Sequence, residues 1–275
     1  MQRPAHPVIG FLTDFGFDGA AATCRGVMLS ICPDAQIIDV SHSVPKYRIA
    51  AGAFVLRGAL PYLPIGVHVA VVDPGVGTDR RPIAIRVRRG DVLVGPDNGL
   101  LVPAAGALGG IEQVRELSNR DLWLPVTSST FHGRDIFAPV AAHLAAGLAP
   151  YEAVGPAVPS TGVVRLPEPE ACVEGDTLQT EVIYADSFGN LRLAGGRAEL
   201  DALGWASAGA RTRVSVGEAA DPLHATVAHS FGAVAPGERL LYVDSSGNLA
   251  LAENQGDLAA RLPATVGDRV RIGPP

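Results

Sequence analysis

Short apolar runs alternate with stretches of helical spacing through the first half of the chain. Val8–Leu12 is an unbroken apolar run ending at Thr13-Asp14-Phe15-Gly16, the pattern of a buried strand entering a loop. Ala20–Ile31 has helical spacing and stops at Pro33; Gln36–Val40 predicts a second strand, and Ile49–Leu60 a second helix closed by Pro61. Val67–Val72, Ile83–Val87 and Val92–Val94 predict further strands, and Ile136–Leu148 a helix with a proline at its end. Strands alternating with helices predict an open α/β sheet with a largely parallel core. In such sheets ligands bind outside the carboxyl ends of the strands. Asp14, Asp73 and Asp97 fall there.

After about Pro159 the pattern changes. Pro167-Glu168-Pro169-Glu170 has linker composition, and short β-rich runs follow: Leu178–Tyr184, Arg211–Val216, Leu240–Val243, Leu249–Ala252 and Arg269–Ile272. Gly189-Asn190 and Gly247-Asn248 punctuate them, helical spacing is nearly absent, and no internal repeat stands out. The reading is two domains, an N-terminal α/β domain over 1–165 and a small antiparallel β-barrel domain over 166–275.

Composition narrows the function classes. Hydrophobic residues make up 47% and charged residues 18%, enough apolar stock for a sizeable core. The net charge is −6 and no basic run extends beyond Arg86–Arg89, which argues against nucleic acid as a partner. Lys46 is the only lysine among 22 basic residues. Cys24, Cys32 and Cys172 form neither a CxxC pair nor an even framework, so reduced thiols and a cytoplasmic setting are expected. Met1-Gln2-Arg3-Pro4 carries no signal-peptide core, and no apolar run is long enough to span a membrane.

The candidate chemistry lies in turns. Val71-Val72-Asp73-Pro74-Gly75-Val76-Gly77-Thr78-Asp79-Arg80-Arg81 puts a carboxylate at a strand end and a guanidinium seven residues on; Thr130-Phe131-His132-Gly133-Arg134-Asp135 adds an imidazole. Such groups can hold and deprotonate a water. Asp14 either caps the helix that starts near Gly19 or accepts hydrogen bonds from vicinal sugar hydroxyls. The Asp-Phe-Gly at residues 14–16 is not that of a kinase, since no Gly-rich nucleotide loop precedes it and no His-Arg-Asp loop follows. The glycines after Asp73 lack the Gly-Lys-Ser/Thr of a phosphate loop, no His/Cys/Asp spacing fits zinc, and no Gly-x-Ser-x-Gly elbow is present. His42, in Ser41-His42-Ser43, has a claim like that of His132. In the second domain, Tyr184–Asn190 and Asp244–Asn248 with Ala252–Gly256 are plain hairpin turns or, together, the aromatic face and amides of a purine pocket.

In combination these segments resemble the S-adenosyl-L-methionine (SAM) hydroxide adenosyltransferases, adenosine-forming SAM hydrolases related to the SAM-dependent fluorinase and chlorinase. The resemblance runs nearly end to end, through Thr13–Gly16, Asp39–His42, Val72–Thr78, Pro96–Leu100, Thr130–Asp135, Asp186–Asn190 and Ser245–Leu249. It implies an α/β domain followed by a β-barrel domain, and a homotrimer with SAM held between the N-terminal domain of one subunit and the C-terminal domain of its neighbour. SAM is the substrate; no cofactor and no metal are implied. The hydrolytic branch of the family is marked by an Asp-Arg-His set, which falls on Asp73, Arg80 and His132, with Arg81 adjoining as the alternative arginine. The halogenating relatives carry a tyrosine where Asp73 stands. The fluorinase also has an insertion between the two strands joined here by Arg88-Arg89-Gly90-Asp91. By the same resemblance Asp14 holds the ribose hydroxyls, and Asp18 and Asp186 contact the methionine ammonium. Tyr47 packs near the substrate. Phe188, Asn190 and Phe231 line the adenine side, with Asn254 and Gln255 nearby. The segment Phe17–Ala21 is a residue shorter than the family pattern.

The implied reaction is displacement at ribose C5′ by water or hydroxide, releasing L-methionine and adenosine. His132 is expected as the proton acceptor, Arg80 as a hydroxide stabiliser and Asp73 as their orienting group. Three rivals remain at this level: a halogenating adenosyltransferase of the same fold, a SAM- or adenosine-binding protein without turnover, and a metal-dependent hydrolase built on the strand-end aspartates.

Overall fold

A computed structural model describes residues 6–205, 209–217, 221–262 and 264–275; Met1–Pro4, read above as lacking a signal core, lies outside them. The chain folds as two units, Met1–Leu166 and Pro167–Pro275. The first contains β1 (Val8–Thr13), α1 (Ala20–Ile31), β2 (Gln36–Ser41), α2 (Ile49–Ala59), β3 (Val67–Val71), β4 (Pro82–Val87), β5 (Val92–Pro96), α3 (Val102–Ala107), β6 (Ile111–Glu116), α4 (Ala138–Ala145) and β7 (Ala157–Val158). Its sheet has the order β2-β1-β3-β5-β4-β6-β7.

The first four strands in that order are parallel, as the alternation with helices requires. From β4 onward the pairing is antiparallel, because four residues join β4 to β5 and a connection that short can only make a hairpin. Ile9, Phe11, Val69 and Val71 form one core with Cys24 and Met28 of α1 and Val140 and Ala141 of α4. The alternate strand positions point to the other face. Burial in this core pushes the Cys24 thiol up to about 12, so it is an inert packing group.

One element departs from the sequence reading. The helix expected over Ile136–Leu148 is a π-helical turn, Gly133–Phe137, running into α4, which stops at Ala145. The wide turn buries Asp135, whose carboxylate accepts the Ser128 N–H at 2.8 Å and two Arg134 bonds, while its backbone carbonyl accepts the Leu124 N–H at 2.9 Å. Burial alone would raise the Asp135 pKa, but Arg134 and Ser128 bring it below the usual carboxylate value. The loop bearing His132 is thereby tied to the start of α4.

The second unit contains β8 (Cys172–Glu174), β9 (Thr177–Ala185), β10 (Leu191–Gly196), α5 (Arg197–Ala202), β11 (Arg211–Val216), β12 (Leu223–Val227), β13 (Arg239–Val243), β14 (Asn248–Glu253), α6 (Leu258–Arg261) and β15 (Arg269–Gly273). Seven strands follow in the order β10-β14-β13-β12-β11-β15-β9, and a β9–β10 pairing closes them into a barrel, with β8 added outside β9. Inward positions such as Leu178, Val182, Leu193, Val214, Leu241, Leu251 and Ile272 fill it. The expected antiparallel pattern holds except at β12–β13, a short parallel pair. The chain between those strands returns through a turn at Phe231–Ala233 to the same end of the barrel. The sequence does hold a short repeat that composition hid: Asp-Ser-Phe-Gly-Asn-Leu at 186–191 and Asp-Ser-Ser-Gly-Asn-Leu at 244–249, one at each of the β9–β10 and β13–β14 hairpins.

At the amino ends of β3 and β5, opposite the aspartate-bearing loops, Asp91 is fully buried. It accepts from His68 Nε2 at 2.9 Å, from Arg89 at 2.7 and 2.8 Å, and from the Gly66 N–H at 3.2 Å. Burial would raise its pKa, but Arg89 and His68 hold it well below the usual range. Asp91→Ala leaves a histidine and a guanidinium without their acceptor, and should cost about 3–5 kcal/mol in urea melts of the N-terminal unit. A loss under about 1 kcal/mol would show that the cluster is not a structural anchor. Gly77 has φ 80°, and a Cβ there would lie 2.5 Å from the Ser129 carbonyl oxygen. Gly77→Ala should therefore force the Asp73 and His132 loops apart and lower the thermal midpoint; an unchanged midpoint would mean that the loops need no contact at this point.

Candidate active site

The loops after β1, β2 and β3 and the loop before α4 meet at the carboxyl end of the parallel strands. They enclose a pocket lined by Asp14, Phe15, Lys46, Tyr47, Val71, Asp73, Val76, Thr130, Phe131, His132 and Gly133. Phe15 and Phe131 pack edge to face at 5.6 Å, joining two of these loops through an apolar contact.

Asp73 on the pocket wall and Arg80 behind it form a bidentate ion pair with side chains 4% and 8% exposed. Arg80 Nε donates to Asp73 Oδ1 at 3.1 Å and Nη2 donates to Oδ2. The Asp-Pro-Gly turn makes this reach possible: the Val76 N–H bonds the Asp73 carbonyl at 3.3 Å and the Thr78 N–H bonds that of Gly75 at 3.2 Å, folding the chain back within seven residues. Nη2 also donates to His132 Nδ1 at 3.2 Å, and the guanidinium lies 5.3 Å from the Phe137 ring centroid. The buried Nη1 has no hydrogen-bond partner within the protein.

That geometry settles the state of His132. A guanidinium only donates, so Nδ1 must accept, and the proton of the neutral ring sits on Nε2. Burial first, and the Arg80 charge second, push the His132 pKa below its ordinary value. The arrangement thus presents N–H donors from Arg80 and His132, with the one carboxylate already committed to Arg80.

Of the two arginines left open by sequence, Arg80 meets Asp73 and His132, whereas Arg81 donates to Asp97 Oδ2 at 3.1 and 2.6 Å and to the Gly162 carbonyl at 2.5 Å. Asp97 is a structural tie, since Oδ1 also accepts the Val164 N–H at 2.9 Å. His42 bonds Thr13 Oγ1 at 2.9 Å, lies 3.1 Å from Asp39 and packs on Phe11, outside the pocket lining. Asp14 does not cap α1, whose N-cap Gly19 has no side-chain bond; Asp14 Oδ2 accepts the Tyr47 N–H at 2.9 Å. Asp18 is exposed in the β1–α1 turn and does not line the pocket.

In the second unit Asp186 organises its own turn. Oδ1 accepts the N–H groups of Phe188 and Asn190 at 3.0 and 2.9 Å, and Oδ2 accepts Asn190 Nδ2 at 2.9 Å and Arg192 Nη2 at 3.1 Å. Asp244 repeats the pattern through the N–H groups of Ser246 and Asn248. Arg192 ties the two turns, its Nη1 lying 3.1 Å from Asp244 and 3.2 Å from the Tyr242 hydroxyl. Phe188 projects from its turn, 77% exposed. Phe231 packs on Tyr242 at 5.3 Å, and buried Asn254 donates to the Val234 carbonyl at 2.8 Å, fixing the segment after Phe231. Gln255 is exposed, with φ 55°. Sequence reasoning missed Arg192 and Lys46. The repeated hexapeptide marked the first, and the solitary lysine the second.

Among the described residues no group of three His, Cys, Asp or Glu side chains is placed to hold a metal ion, and no helix is long and apolar enough to cross a membrane. The chain matches the SAM hydroxide adenosyltransferase N-terminal domain over residues 9–155 and the corresponding C-terminal domain over residues 180–271. It is 50% identical to an (R)-S-adenosyl-L-methionine hydrolase of Salinispora tropica, covering 97% of each chain. It is 30% identical to a fluorinase of Actinopolyspora mzabensis over 98% of this chain and 97% of that one. A crystal structure of a conserved protein from Thermotoga maritima superposes with TM-score 0.87 at 38% identity, covering 96% of this chain and 99% of the other. With both domains matched in order along most of its length, the chain belongs to the SAM hydroxide adenosyltransferase family.

Proposed function

We propose that this protein hydrolyses SAM to adenosine and L-methionine, with Asp73, Arg80 and His132 as the catalytic set. The hydrogen-bonded Asp73–Arg80–His132 chain carries the reading. The relatives' name specifies the (R) epimer at sulfur, and that epimer is the substrate proposed here.

Attack at the ribose C5′ forms a C–O bond and breaks the C5′–S bond. The electron pair of that bond goes to sulfur, which leaves as the neutral thioether of methionine. No acid is needed for a sulfonium leaving group. The requirement is an oxygen nucleophile held in line, and alignment can contribute about 7–11 kcal/mol. Because Nδ1 of His132 is engaged and Nε2 protonated, His132 donates to the nucleophile instead of accepting its proton. The His132 Nε2–H donor and the nearby Arg80 charge favour the hydroxide form of a bound water, whose proton passes to solvent before attack, so that the hydroxide oxygen becomes the 5′-hydroxyl of adenosine. Asp73 fixes the guanidinium plane. Asp14, Tyr47 and Asp18 on the N-terminal unit, and Asp186, Phe188, Asn190, Phe231, Asn254 and Gln255 on the C-terminal unit, are the proposed substrate contacts. A homotrimer that brings the two sets together between subunits belongs to the same proposal, as do a cytoplasmic setting and independence from any cofactor.

A halogenating activity is the second reading, favoured by the fluorinase relatives. Because Arg80 neutralises Asp73 on the pocket wall, charge alone does not separate the two readings, and product analysis with added chloride does.

Incubation with (R)-SAM should give adenosine and methionine in equal amounts, with ¹⁸O from labelled water on the 5′-oxygen, undiminished by EDTA; added chloride should yield no 5′-chloro-5′-deoxyadenosine. Unlabelled adenosine, or the chloro product, would overturn the hydrolytic reading. His132→Ala should lose about 10²–10³-fold in kcat. His132→Asn, which keeps an acceptor for Arg80 and a donor for the oxygen, should retain more; equal losses would restore His132 as a base. Protonating His132 places an N–H against the guanidinium, so wild-type kcat/KM should fall with acid at a midpoint below 6.5, the side to which its pKa is shifted. A midpoint above 6.5 would contradict the assigned tautomer.

A further inference from the structure

The pocket holds a charge that the displacement scheme leaves unused. Asp73 is neutralised by Arg80, His132 is held as a neutral donor, and Asp14, the other carboxylate of the lining, accepts the Tyr47 N–H. Lys46, the only lysine of the chain, lines the same pocket, is exposed, and has no ion-pair partner among the described residues. Its backbone is built into place. The Arg48 N–H closes a turn on the Pro45 carbonyl at 3.0 Å, and Tyr47 has φ 65°, a left-handed conformation that a bulky side chain rarely adopts. Asp14 holds that strained residue through its N–H at 2.9 Å. Strain of this kind persists where the surroundings over-determine it, and it gathers at ligand contacts. Asp14 thus serves the turn that carries Lys46 as well as the pocket itself.

An ammonium on this wall discriminates among the charges of a substrate. SAM carries a sulfonium and an α-ammonium, which Lys46 repels, and one carboxylate, which it attracts. We propose that Lys46 binds the α-carboxylate of the substrate and so selects sulfonium nucleosides that keep the amino-acid carboxylate over those that have lost it. The assignment rests on the hydrolase reading above and adds a specificity residue to it. Lys46 takes no part in the displacement.

The test measures adenosine formation from SAM and from decarboxylated SAM by the wild-type enzyme and by Lys46→Met and Lys46→Arg. Lys46→Met should raise KM for SAM about 10-fold, the scale of one charge-assisted hydrogen bond, with kcat within twofold, and should lower KM for decarboxylated SAM, whose two positive charges no longer meet an ammonium. Lys46→Arg should restore most of the affinity for SAM. An equal rise in KM for both substrates, an unchanged KM for SAM, or a fall in kcat alone would each overturn the carboxylate contact. Absence of adenosine from the wild-type enzyme with SAM would instead remove the hydrolase reading, and this assignment with it.

Discussion

The buried bond between Asp73 and Arg80 is the constraint on which the pocket depends. A guanidinium at 8% exposure next to the end of a parallel strand is costly to desolvate, and it stays there because a carboxylate meets it through two hydrogen bonds. Once that pair is set, the remaining donors of Arg80 have fixed directions. One meets His132 Nδ1, which decides the tautomer of the ring, and Nη1 stays buried without a partner in the protein. The state of His132 is thus a consequence of Arg80.

The loops that make this possible are held from both sides. Asp135, in the wide π-helical turn, ties the His132 loop to α4, and the Asp-Pro-Gly turn folds Arg80 back onto Asp73. Asp14 holds Tyr47 in a conformation it would not adopt alone. The site is therefore preorganised by carboxylates, Asp14 and Asp135 bonded to backbone N–H groups and Asp73 bonded to Arg80. At the far end of the sheet the Asp91 cluster uses the same device for structure alone. The difference between the two ends is topological: ligand-bearing loops follow the carboxyl ends of parallel strands, and the amino ends are free to be closed.

In the barrel unit, two copies of an Asp-Ser-x-Gly-Asn-Leu turn share Arg192. The Asp186 carboxylate, expected from the family resemblance to meet a substrate ammonium, spends four acceptor positions on its own turn and on Arg192. Its first effect is to shape the loop from which Phe188 projects. Any contact it makes with substrate is shared with those bonds.

Much of the framework was legible in the chain itself. Period and punctuation located α1, the parallel strands and most barrel strands, because buried strands and amphipathic helices leave local patterns. The motifs named Asp14, Asp73 and His132, since turn chemistry is also local. Other features were decided by contacts distant in sequence. Arg80 rather than Arg81 meets His132 because adjacent residues project differently, and the partners that separate them, His132 and Asp97, are 52 and 16 residues away. The antiparallel half of the sheet followed from a four-residue hairpin, and the single parallel pair in the barrel from the path taken through Phe231–Ala233. Sequence alone determined which residues could carry the chemistry. Only the tertiary structure decided which nitrogen of His132 holds the proton, because a tautomer is set by the hydrogen-bond partner that the fold places beside the ring.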